Sequence, residues 1–183
     1  MAEIRRLDGK LARQWELLIS TLEDLRCAAA LVARVLDENV PHQDPDIHAI
    51  WINALVRYGR SFAKGARPSA APGALDHLPA QLQRRHRYFR RLWDMTVSRP
   101  GGASFTHTAV VVLDVAPTRH IQGARVAMIP LGRLEAMDFL ELIEAVQILM
   151  DQARIEVENS LQAHVIHMLE HTLLELPRLE EGT

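Results

Sequence analysis

The sequence predicts a mainly α-helical, antiparallel bundle of two long and two medium helices, with one β-hairpin inserted before the last helix. Two observations lead to this fold class. Apolar residues recur at alternating spacings of three and four over long stretches towards both ends of the chain, and this is the period of helices that pack lengthwise. A β-branched run between about residues 104 and 129 interrupts that period, which favours two short strands joined by a turn.

The composition is that of one globular domain. Of 183 residues, 48% are hydrophobic, 24% charged and only 5% aromatic, so aliphatic side chains must fill most of the core. We expect a single domain over residues 1–183 with a frayed tail from about residue 177. No apolar run is long enough to span a bilayer and no signal-peptide core is evident, so we expect a cytoplasmic protein. The single Cys27 fits a reducing compartment and predicts a small buried thiol.

Residues 3–38 predict one long helix, and about 46–64 a second. The first carries a heptad-like seam, formed by Leu11, Trp15, Leu18, Leu22, Leu25, Ala29, Val32 and Leu36. The second carries an apolar stripe, formed by Ile47, Ile50, Trp51, Ala54, Leu55, Tyr58 and Phe62.

The stretch 79–97 predicts a third helix that is apolar on one side and cationic on the other. Arg84, Arg87 and Arg91 line the face opposite the apolar side, with Tyr88 beside them. Arg85 instead projects among the apolar residues. Because an isolated buried charge is very costly, its guanidinium must find a carboxylate or a carbonyl.

The last helix, predicted over about residues 132–176, carries two separate apolar stripes. One stripe contains Phe139, Val146 and Val157, and the other contains Ile148, Ile155, Ile166 and Leu173. Two stripes indicate two sets of neighbours, so we predict a homodimer in which the second stripe contacts a second copy.

Charge is distributed unevenly along the chain. From Arg57 to Arg99 the formal charge is +8, and from Leu134 to Thr183 it is −9. These halves either neutralise each other within the fold or the basic half binds an anionic partner. The candidate nucleic-acid-binding residues are Arg84, Arg87, Tyr88 and Arg91, joined by a second basic strip of Arg57, Arg60 and Lys64. The second strip also suits a helix C-terminus, where cations complement the dipole.

One histidine motif matches the spacing of a zinc-binding site. His167 to His171 matches H-x-x-E-H, and His164 shares the same narrow helix face, so three imidazoles could converge. Histidines at a helix end or a subunit contact explain the pattern better, and we predict no metal and no cofactor. No P-loop, GxGxxG, GxSxG or CxxC motif is present in the sequence.

The order of these features resembles the HEPN superfamily of small helical domains, in particular an uncharacterised bacterial branch with a degenerate ribonuclease motif. The resemblance spans about residues 45–170 and is carried by three stretches: 54–62, the His86-Arg-Tyr-Phe89 run, and 92–100. Ribonuclease members of the superfamily place an Arg, followed after four to six residues by a His, at a dimer interface to activate the RNA 2′-hydroxyl. Here Trp93 stands in place of that Arg and Arg99 in place of the His, and only Asp94 agrees.

The resemblance therefore implies a helical dimer with a basic helix facing a groove, but without the nuclease pair. The leading hypothesis is a non-catalytic, HEPN-like protein that binds RNA or another polyanion through its arginine-bearing helix. The alternative is a protein-interaction module that docks an acidic partner protein, with no nucleic-acid role. An enzyme that uses the histidine cluster or another site is a third possibility.

Overall fold

The structure, a computed structural model, describes residues 7–37, 45–63, 73–96, 105–112, 120–128, 132–168, 172 and 175–177. Four helices dominate the described residues, so the predicted mainly helical bundle is confirmed. They are α1 (Lys10–Leu36), α2 (Pro45–Ser61), α3 (Ala80–Thr96) and α4 (Arg133–Ile166), with a 3₁₀ turn at Ala74–His77 before α3. Two strands, β1 (Phe105–Val112) and β2 (His120–Met128), pair antiparallel with an irregularity between Ala109 and Val111.

Helix α1 begins later than the apolar period predicts. Gly9 adopts φ +120°, a backbone conformation that L side chains rarely adopt, so the helix starts at Lys10 rather than near residue 3. The predicted seam is largely correct, since Leu18, Leu22, Leu25 and Val32 are buried. The prediction of a buried thiol at Cys27 is wrong: Cys27 is exposed, because it lies about 140° around the helix from the centre of the buried face.

Helices α2 and α3 match their predicted positions with shifted ends. Helix α2 ends at Ser61, three residues before the predicted Lys64, which lies outside the described residues. Helix α3 begins at Ala80, so Pro79 precedes the first turn. The Pro79 carbonyl accepts a hydrogen bond from the Gln83 N–H at 3.0 Å.

The core lies where α1 packs along both α4 and α2, with α3 against α2 and α4. Its centre is aromatic despite the low aromatic content. The Phe139 ring stacks on Phe89 at 4.2 Å and meets Trp51 and Tyr58 edge-on at 5.2 and 5.1 Å. These four rings, each 1% exposed or less, join α2, α3 and α4 in one cluster.

Helix α4 ends ten residues before the predicted Leu176. His167 is its C-cap, and the Met168 N–H bonds to the Val165 carbonyl in a tighter turn. The core holds this end only weakly: no described residue of α4 after Val157 is fully buried, although Leu161 still packs partly buried against the core. None of the helices in the described segments combines the length and apolarity that crossing a membrane requires.

Candidate polyanion interface

The five arginines of α3 divide into two groups. Arg84, Arg87 and Arg91 are exposed, and within the described segments none of them takes part in an ion pair. They lie at positions i, i+3 and i+7, so they form a row about 10 Å long on one face of the helix. The described part of α4 forms no ion pair with this row. We call these three residues the arginine row.

Arg85, the neighbour of the first row residue, is held inside the fold. Its guanidinium pairs with both Asp138 and Glu141 of α4, and only 17% of its side chain is exposed. The expectation that an inward-facing arginine must find a carboxylate is therefore confirmed. This double ion pair fixes the rotation of α3 against α4, which keeps the arginine row turned outward.

Arg90 is also held by the fold, a contact that the helical period of the sequence did not indicate. Its Nη1 donates to the Gly59 carbonyl of α2 at 2.8 Å, and its guanidinium carbon lies 4.7 Å from the Trp93 ring centroid. The indole lies so close to α2 that a Cβ added at Gly59 would meet three of its ring atoms at 2.3–2.4 Å. A glycine inside a helical stripe was the signal of this close approach.

Tyr58 and His86 join α2 to α3 beside that contact. The buried Tyr58 hydroxyl lies 2.7 Å from His86 Nδ1. Burial raises the pKa of Tyr58 above its usual range, so the hydroxyl stays protonated. Burial, together with the positive charges of Arg90 and Arg87, lowers the pKa of His86 to about 4. The hydroxyl therefore donates to a neutral imidazole, which is a structural pairing.

In the predicted second basic strip, Arg57 is ion-paired within the fold and not free like the arginine row. Its Nη1 donates to the carboxylate of Asp24 on α1 at 2.9 Å, and this hydrogen bond raises the pKa of Arg57. The signal was Asp24, a buried carboxylate at the edge of the α1 seam, which needs a cation as Arg85 needs an anion. Arg60 is exposed as predicted, while Lys64 lies outside the described residues.

One edge of the arginine row is acidic. An open depression of about 380 Å³ lies between α3 and the first turns of α4. Arg84 and Tyr88 line its α3 side, and Glu135 and Asp138 its α4 side. Because carboxylates repel phosphates, an anionic chain would follow the row along α3 rather than enter this depression. Tyr88, half exposed and edge-on to Phe89, is the aromatic ring nearest that path.

The histidine motif does not form a metal site among the described residues. His164 lies in the last turn of α4 and His167 is its C-cap, so the run is not on one continuous helix as predicted, and His171 lies outside the described residues. No group of three or more metal-ligating side chains occurs in the part of the chain that the structure describes.

Trp93, which the resemblance alone places at the nuclease arginine position, packs against Gly59 of α2, while Arg99 lies outside the described residues. Helix α3 therefore presents three exposed guanidinium groups and one phenol ring to the solvent. Comparison with known proteins returns no matching family model, no matching curated protein and no matching solved structure.

Proposed function

We propose that this chain is a non-catalytic, HEPN-like protein that binds RNA, or another flexible polyanion, through the arginine row of α3. The observation that carries the proposal is the contrast within one helix. Arg85 and Arg90 are neutralised or bonded by the fold, whereas Arg84, Arg87 and Arg91 are exposed without ion-pair partners among the described residues.

Two properties of the row favour a phosphate backbone. Guanidinium groups bind phosphate oxygens in a fork geometry and stay charged at any physiological pH. The row lies on a helix that Arg85 ties to α4 and Arg90 ties to α2, so its order before binding lowers the entropy cost of contact. Tyr88 adds a ring on which an unpaired base can stack whatever its identity.

The experiment is fluorescence anisotropy with a labelled single-stranded RNA of mixed sequence. Three phosphate contacts predict a slope of about −2 for log affinity against log salt, so raising salt fourfold should weaken binding about 20-fold. The triple variant Arg84→Glu, Arg87→Glu, Arg91→Glu should lose binding and keep its helical circular dichroism, because all three side chains point away from the core.

A matched control changes the same charge elsewhere. Arg13, Arg26 and Arg34 are exposed on α1, and replacing all three by Glu gives the same net charge as the row variant. This control should retain most of the affinity. Equal loss in both triple variants would mean that only net charge matters, and no binding by wild type at low salt would refute the proposal.

The alternative function, docking of an acidic partner protein, is an outcome of the same experiment. A row that binds no RNA but captures one acidic protein in stoichiometric amount, and loses it in the row variant, would favour that alternative.

The proposal includes the insertion of the β-hairpin, about residues 104–129, into a domain that does not need it. Replacing residues 104–129 by a short Gly/Ser linker should not change RNA binding. It should also leave the helical circular dichroism signal unchanged when that signal is expressed per helical residue. Loss of cooperative unfolding in this variant would show that the hairpin is part of the core.

A further inference from the structure

Helix α4 carries an apolar stripe that the fold of one chain does not cover. Met137, Ile148, Ile155 and Ile166 are 52%, 61%, 44% and 71% exposed. At about 100° per residue all four lie within about 20° of one direction, over a length of about 44 Å. We call them the α4 stripe; Met137 was not part of the stripe that the sequence predicted.

The α4 stripe lies opposite the core. The buried residues of α4, among them Phe139, Val146 and Val157, centre about 180° around the helix from Ile148. Beyond Val157 the helix continues to Ile166 without a buried residue. In this last part of the described helix Leu161 packs partly buried against the core, so the end of α4 has weaker support from its own chain than the middle has.

The spacing of the stripe is the same read in either direction. Its members are 11, 7 and 11 residues apart. Two copies of α4 packed antiparallel, with a twofold axis between residues 151 and 152, therefore place Ile148 opposite Ile155 of the partner subunit, and Met137 opposite Ile166 of the partner subunit. A twofold interface requires this self-complementarity, in which residue i meets j and j meets i.

The polar residues within the stripe favour the antiparallel over the parallel arrangement of two α4 helices. Glu141 and Glu144 are exposed in its first half, and Asn159 and Gln162 in its second half. A parallel pair would place Glu144 beside its own copy, and like charges in contact are destabilising, whereas Glu141 is already paired with Arg85 of α3. In the antiparallel pair Glu141 lies opposite Gln162 of the partner subunit, and Glu144 opposite Asn159 of the partner subunit, so that amides can donate to carboxylates.

We propose that two copies of this chain associate through the α4 stripe as an antiparallel, twofold-symmetric dimer. The weakly supported end of each α4 then lies against the first half of the other. The average spacing of the stripe, close to 3.6 residues per turn, fits two straight helices rather than a supercoiled pair.

The first test measures mass in solution. Light scattering on the full chain at micromolar concentration should give twice the 20.7 kDa chain mass. The variant Ile148→Glu, Ile155→Glu should be monomeric, with a dimer weakened about a hundredfold or more, since it places four carboxylates at the axis. The control Ala30→Glu, Ala33→Glu adds the same charge at exposed positions of α1 and should remain dimeric. A monomeric wild type, or a dimeric stripe variant, overturns the proposal.

The second test measures direction, in a Cys27→Ser background that removes the exposed native thiol. Gln152→Cys lies next to the twofold axis and should form a disulfide with itself across the interface. Met137→Cys should not, because its two copies are about 44 Å apart in the antiparallel pair. Mixing Met137→Cys with Ile166→Cys should restore cross-linking. Self-cross-linking at Met137→Cys would show a parallel pair and overturn the proposed arrangement.

Discussion

Replacing Gly59 by alanine should destabilise this protein, although the same change in most helices is stabilising. Alanine in place of glycine inside a helix contributes about 1 kcal/mol of stability through backbone entropy. Here the new Cβ would meet three atoms of the Trp93 indole at 2.3–2.4 Å, far inside contact distance. The ring cannot easily move, because Arg90 covers it while bonding to the Gly59 carbonyl. Overpacking of this kind costs about 3 kcal/mol at the upper end of its range. The net loss should be about 2 kcal/mol, which corresponds to a decrease in Tm of about 4–8 °C.

The double-mutant cycle with Trp93→Ala isolates that contact. In the Trp93→Ala background the obstacle is gone, so Gly59→Ala should raise the free energy of unfolding by up to about 1 kcal/mol. Urea denaturation followed by circular dichroism measures all four proteins. A loss of the same size in both backgrounds would mean that Trp93 is not the obstacle, and that the close approach of α2 and α3 at this point has been misread.

Three further outcomes are expected. Arg85→Glu should lower the free energy of unfolding by about 2 kcal/mol, since it sets a third carboxylate beside Asp138 and Glu141. Arg84→Glu should change the free energy of unfolding little, and thermal melting of the two variants tests this difference. The free energy of unfolding should fall as the pH is lowered from 6.5 to about 4, because the unfolded chain protonates His86 before the folded one does. After discounting for solvent screening, the loss is about 2 kcal/mol. Urea denaturation at several pH values measures it, and the His86→Gln variant should show a shallower decline. Purified protein should leave RNA intact over hours, and metal-independent cleavage that a point substitution abolishes would contradict the proposal that this chain is non-catalytic.

The sequence predicted those features that follow from one helix considered alone. The seam of α1, the outward row of Arg84, Arg87 and Arg91, and the need of Arg85 for a carboxylate all follow from helical period and the cost of buried charge. The sequence did not reveal the features that depend on two elements meeting. Arg57 lies on the polar side of its own helix, yet it is drawn to Asp24 of α1. Arg90 likewise reads as one more surface cation until Gly59 is known to lie beneath it.

The ends of helices were the other weakness, and for a related reason. Apolar spacing continues smoothly through residues 3–9 and 167–176. A single glycine conformation ends the first period at Gly9, and α4 ends at Ile166, shortly after Leu161, the last of its described residues that packs against the core. Neither the φ angle nor the extent of the core is visible in the spacing of side chains.

The arrangement of α3 has a consequence for how this protein can change over generations. Residues that hold the helix in place alternate along the chain with residues that face solvent: Arg84 beside Arg85, Arg90 beside Arg91. A point substitution at a solvent position alters the surface charge and leaves the packing of α3 in place. Inserting or deleting one residue, however, rotates everything beyond it by about 100°, which takes Arg90 off Gly59 and turns a surface arginine towards the core. Substitutions can therefore change the charge of this helix, and with it what the helix binds, without disturbing the fold, whereas a change in its length disturbs the fold itself.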